Sequence, residues 1–300
     1  MSAFTNPKFP RENILAEIQA KNEAGLLRQG PNGVGTIVDL LLKGDAAQCA
    51  HERYGMPQPF VFALDVIFNG LPREDAATWA IASVEAVTPK KDLSRVWAWM
   101  ALATLKKLEA IVGTEVSVLN AAIHYVERRT QQDHDVQEGQ DFLNVKATWD
   151  LVKEEDETLY IIKSAVLSTR PVSQFTEAAR HADWQARALD AAAALRYTAK
   201  FIAGRAQQSV LAGAEDPAAV TAAASLAASN ASEEVYTEFA ARFTTIVTEA
   251  PEAVVSVAQR VASVAGGMNR FARAADRIVP QQPRNPNPPL PRPGPWGMGG

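Results

Sequence analysis

Apolar positions recur at spacings of three and four in nearly every stretch between turn residues, which is the period of an α-helix rather than of a strand. The longest such stretch is Pro171 to Gln208. Phe175, Ala179, Ala182, Ala186, Leu189, Ala193, Tyr197 and Phe201 fall on one face of it. Most of that face is alanine, so a partner helix can approach closely. The pattern predicts one very long helix with an alanine seam as the element that the others pack against.

The remaining chain predicts further helices. Pro10 to Gln29 carries Ile14, Leu15, Ile18, Leu26 and Leu27, with Gly30 as its stop. Thr36 to Lys43 is a short apolar helix ended by Gly44, and Asp45 can cap the next. Phe60 to Phe68, FVFALDVIF, fits either a buried helix or a strand, because periodicity does not separate the two at that length. Leu71 to Val87 is a helix candidate. Asp92 can cap a helix that Gly113 stops, and Thr114 can cap its tightly joined antiparallel neighbour. Thr130 to Gln140 is the clearest internal loop. Phe142, Val145, Trp149 and Val152 form one stripe, and Leu159, Ile162 and Val166 another. Asp216-Pro217 opens an alanine-rich helix, Asn230 with Glu233 fits a capping box, and Pro251 starts a helix that ends at Gly266-Gly267. Met268 to Val279 is a last short helix.

From Pro280 the composition changes to proline and glycine with no acid, which predicts a disordered or polyproline-II tail. The expected organisation is a flexible segment 1–10, a helical lobe 11–129, a loop, a second lobe 141–279 and a tail 280–300. The fold class is all-α. No solenoid repeat is visible. The lone cysteine, Cys49, excludes an intramolecular disulfide and suits a reducing compartment. No secretory signal or spanning segment is seen, so the expected location is cytoplasmic, or a virion for a coat protein.

Candidate chemistry is sparse. Gly30 to Thr36 is glycine-rich but lacks the Lys-Ser/Thr of a phosphate loop, so an interhelical turn is the plainer account. His124, Glu127, Asp133, His134 and Asp135 have metal-ligand chemistry without a defensible spacing. Cys49 and His51 diverge at i, i+2 on a helix. Glu154 to Glu157 reads as a solvated helix start. Trp79, Trp97, Trp99, Trp149 and Trp184 read as core or interface anchors. No catalytic residue, metal ligand or cofactor is expected.

The less ordinary feature is basic. Past Lys200 every cation is arginine, and Arg260, Arg270, Arg273, Arg277, Arg284 and Arg292 face a single acid, Asp276, from position 260 onward. Arg270, Arg273 and Arg277 share a helical face, and guanidinium forks suit phosphate. Pro288 to Arg292 reads PPLPR, a PxxP core followed by arginine, which fits a proline-binding domain. An all-helical body, a basic zone and a low-complexity end together resemble the coat proteins of filamentous viruses in architecture, with no motif matching residue by residue. The expectation is a non-enzymatic, self-associating protein, most specifically a nucleic-acid-packaging coat protein or nucleoprotein. Its expected partners are further copies of itself and RNA or another polyanion. The alternatives are an adaptor acting through its body and tail, and an all-α enzyme without a readable motif.

Overall fold

A computed structural model describes residues 3–30, 37, 53–131, 138–149, 152, 156–170, 177–216 and 218–252. All belong to one compact unit, Met1–Ala253. Among them the fold is all-α: α1 (Arg11–Glu23), α2 (Gln58–Gly70), α3 (Arg73–Ala86), α4 (Val96–Val112), α5 (Ser117–Gln131), α6 (Glu138–Trp149), α7 (Glu157–Ser168), α8 (Glu177–Ala212) and α9 (Thr221–Glu249). The one β-type pairing among the described residues is an isolated bridge between Lys91 and Glu252. No described helix is long and apolar enough to cross a membrane.

The long helix is present and central. The 36 residues of α8 pack against α9, α7, α2 and α4. Its buried face is not the expected one. Ala188, Ala191, Ala192, Ala194, Leu195, Thr198 and Ala199 are buried, while Leu189 and Tyr197 are 55% and 40% exposed. At 100° per residue the two faces lie nearly opposite. Alanine occurs all round this helix, so the choice of face rested on Leu189, Tyr197 and Phe201. The true core face carries Arg187 and Thr198 instead, which disguised it. Thr198 is tolerated there because its hydroxyl donates to the Ala194 carbonyl, 2.8 Å away.

FVFALDVIF resolves as helix, the middle of α2, with Phe60, Leu64, Ile67 and Phe68 buried. Pro57 at its N-cap and Pro59 in its first turn are placed where a missing N–H costs least. Gly70 closes α2 against α9, and a β-carbon there would run into the Tyr236 ring. Three expected boundaries move. α1 ends at Glu23, because Gly25 adopts φ 64° and turns the chain before Leu26. Asp92 bonds the Ser94 N–H at 2.9 Å in a turn, and α4 starts at Val96. Asn230 and Glu233 cap nothing, since α9 runs straight through them. A four-residue signature with neither glycine nor proline beside it supplies no breaker.

The helices of the two expected lobes share one hydrophobic cluster running from Ala3 to Ala250. Phe60 of α2 meets Phe243 of α9 at 5.0 Å between ring centroids, and Trp79 of α3 meets the same ring at 5.7 Å. The Trp79 indole N–H donates to the Ala240 carbonyl at 3.1 Å. The antiparallel pairing expected across the tight Gly113 turn holds, with α4 packed on α5. Asp156 caps α7 through the Leu159 N–H at 2.8 Å, so part of the acidic run is a helix start, as read. The two ends of the described body meet at the α3–α4 turn. Ala3 exchanges backbone hydrogen bonds with Lys90 and Lys91, and the Asp92 N–H donates to Pro251.

Candidate functional site

The predicted polyanion residues Arg260, Arg270, Arg273, Arg277, Arg284 and Arg292 lie outside the described residues, as do the PPLPR segment, Cys49, His51, Asp133, His134 and Asp135. Of the Gly30 to Thr36 turn only Gly30 is described, its N–H held by the Asn69 side chain at 2.8 Å. His124 and Glu127 do meet, at 3.5 Å, but His124 is 78% exposed. No group of three metal-ligating side chains occurs among the described residues. Trp97 is buried in the core and Trp99 stands exposed on α4.

The body does hold an arginine cluster that sequence reading did not find. It forms where α5, α7 and the first half of α8 converge. Arg187, 8% exposed, donates from Nε to the Ser168 carbonyl at 2.8 Å and stacks on Trp184 at 5.0 Å. Arg129 donates from Nε to the Thr169 carbonyl at 3.1 Å. Arg170 meets Asp190 at 2.9 Å. Burial pulls the Arg187 guanidinium down to about 10, and nearby Arg129 pulls the same way. Burial likewise lowers Arg129, and it raises Asp190 against the opposing pull of Arg170. Tyr125 sits among them with its hydroxyl buried beside the Thr169 side chain. Burial raises that phenol, outweighing the arginines beside it. Two guanidiniums on the last carbonyls of α7 satisfy orphan acceptors and complement the helix dipole. Their chemistry is that of a helix cap, and the cluster ties three elements together.

A second surface pairs charges in the same way. Trp99 and Arg242 stand between two shallow openings along the α4–α9 seam, one of about 310 Å³ beside Arg95 and one beside Lys106 and Lys107. Lys107 bonds Glu238, and Lys106 meets Glu109 at 3.3 Å and Glu127 at 3.6 Å. Asp92 and Glu249 line the other opening. Acids match the cations here, so this seam is not a phosphate track.

The remaining candidate is the outward face of α8, where exposed Leu189 and Tyr197 flank Ala193, with Ala186 and Ala182 one and two turns before Leu189. Tyr160 of α7, also exposed, lies beside Tyr197 at 6.2 Å between ring centroids. Of the stripe that the spacing of apolar residues picked out, Ala182, Leu189 and Tyr197 are exposed, Ala186 and Ala193 are half-buried, and Phe201 packs against the core.

Comparison of the chain with family models, with curated proteins and with solved structures finds no match.

Proposed function

We propose that the protein is a non-enzymatic, self-associating structural protein whose assembly role is the packaging of nucleic acid. The observation that carries the self-association is the double-sided α8. One of its faces builds the core, and the opposite face keeps an apolar stripe with Leu189 and Tyr197 in solvent. A single protomer gains nothing from that second stripe, whereas a neighbouring helix would cover it. The nucleic-acid half rests on the arginine-only basic zone beyond position 260, since the lysines of the α4–α9 seam are accompanied by acids and Arg129 and Arg187 serve as caps.

Size-exclusion chromatography with light scattering, read at 260 and 280 nm, tests both halves. Large particles rich in 260 nm absorbance are expected. A monomer without nucleic acid at the highest concentration reached overturns the proposal. For the basic zone, replacing Arg270, Arg273 and Arg277 together by glutamine is expected to weaken single-stranded RNA binding about equally across sequences, and to flatten its salt dependence by about two units of slope. Absence of wild-type binding at low salt removes the packaging role.

A further inference from the structure

We propose that the opening at the Pro251 end of the α4–α9 seam binds a small zwitterion. Its ligand carries a carboxylate at one end, an ammonium at the other and a hydrocarbon spacer between them. The opening holds about 310 Å³ and lies between the first turns of α4, the last turns of α5 and α9, and the α3–α4 turn. That volume is at the lower limit of small-molecule cavities, about 300 Å³, so it admits a compact molecule rather than a stretch of folded chain. The mixture of charges that makes the seam a poor phosphate track suits a ligand carrying both signs.

Charge is left unspent here. In the neighbouring opening cations and acids close on one another: Lys107 bonds Glu238, and Lys106 meets Glu109 and Glu127. Arg242 and Glu249 do not. Both line the opening, both are exposed, and among the described residues neither has an ion pair. They stand seven residues apart, on one face of α9 and about 10 Å from each other along its axis. An extended chain of about five methylene groups holds a carboxylate and an ammonium at a comparable separation.

The two ends also differ in what they attract. Glu249 is the last residue of α9, where the helix dipole and the orphan carbonyls favour a cation. Lys91 of this chain already donates to the Thr248 carbonyl there, at 2.5 Å. Asp92 lines the opening too, one turn before Arg95. Arg242 lies two turns back from Glu249, beside Trp99. The ammonium is therefore drawn to Glu249 and the carboxylate to Arg242, and the reverse orientation sets like charges together. Between them the spacer lies along the Trp99 indole, 38% exposed, over buried Val96 and Ile246.

A ligand-observed NMR titration of the full chain with ε-aminocaproate at low salt tests the site. Saturable binding that weakens with added salt is expected. Glycine, whose charges are too close together, should bind more weakly, as should the methyl ester and the N-acetyl form of ε-aminocaproate. Arg242→Gln and Glu249→Gln should each lower affinity about two- to fivefold, and Glu234→Gln, exposed elsewhere on α9, should not. All three positions are exposed, so an unchanged melting temperature is expected of each variant. The orientation is read by crossing the two series. On Arg242→Gln the ester and the free acid should bind alike, and on Glu249→Gln the N-acetyl form and the amine should. Absence of saturable binding overturns the proposal, and so does wild-type affinity in both glutamine variants. The opposite crossing, with the ester matched on Glu249→Gln, overturns the assigned ends and with them the site as described.

Discussion

Arg187 carries a charge where little water reaches, and its guanidinium holds the end of α7 through the Ser168 carbonyl. Removing it leaves a buried acceptor unmet and a cavity beside Trp184. Arg187→Ala is therefore expected to lose about 2–4 kcal/mol in urea unfolding. Its neighbour Tyr125 is held more weakly. Its buried hydroxyl stands beside the Thr169 side chain without a full hydrogen bond, so Tyr125→Phe should change stability by no more than about 1 kcal/mol. The two groups also act oppositely on alkaline stability. Arg187 has its folded value lowered to about 10, below the ordinary guanidinium range. From there upward the unfolded chain binds more protons, so this group raises stability as pH rises further. Tyr125 and Tyr236 are both raised above the ordinary 10 by burial. For them the unfolded chain ionises first, and stability falls as pH rises above 10. Tyr125→Phe should show a shallower alkaline loss than the parent chain, read by denaturant titration at pH 7 and just above 10.

Among the elements, α8 tests packing most sharply because its two faces differ in what they touch. Ala191→Leu and Ala194→Leu are at fully buried positions and should each cost about 1–3 kcal/mol by overpacking. Leucine at half-buried Ala186 or Ala193 should cost less in monomer stability. Equal losses at all four positions in thermal unfolding would show that the faces do not differ. Gly70→Ala at the α2–α9 contact should also destabilise, since the added carbon meets the Tyr236 ring. The helices themselves were legible from spacing, down to the antiparallel α4–α5 pair. What spacing did not give was the inward face of an alanine-rich helix. A methyl group marks a face too weakly to outvote one leucine and one tyrosine. The arginine cluster escaped for a related reason. Arg129 lies on α5, Arg170 just past the end of α7 and Arg187 on α8, and they meet only through the packing of these elements, which no local pattern encodes. The Asn230 capping signal misled because the alanine-rich stretch before it and the Val235 to Ile246 stripe after it join into α9 without a glycine or proline between them.

At the scale of the whole molecule, the compact unit Met1–Ala253 contains every described contact in the core cluster. A chain ending at Ala253 is expected to melt within a few degrees of the full chain and to keep its helical circular dichroism. A loss of cooperative melting on this truncation would show that the remaining 47 residues support the body. The N-terminal arm bears on the same question. Ala3 and Glu252 sit on opposite sides of one turn, Thr88 to Asp92, joined to it by backbone hydrogen bonds and the Lys91–Glu252 bridge. The body thus begins and closes at one point on its surface. Its linear order is then a convention that the fold does not need. A short glycine-serine linker could splice residue 252 to residue 3, with new ends cut into the Gly113–Val116 turn, and the rearranged chain should still reach the same packed helices.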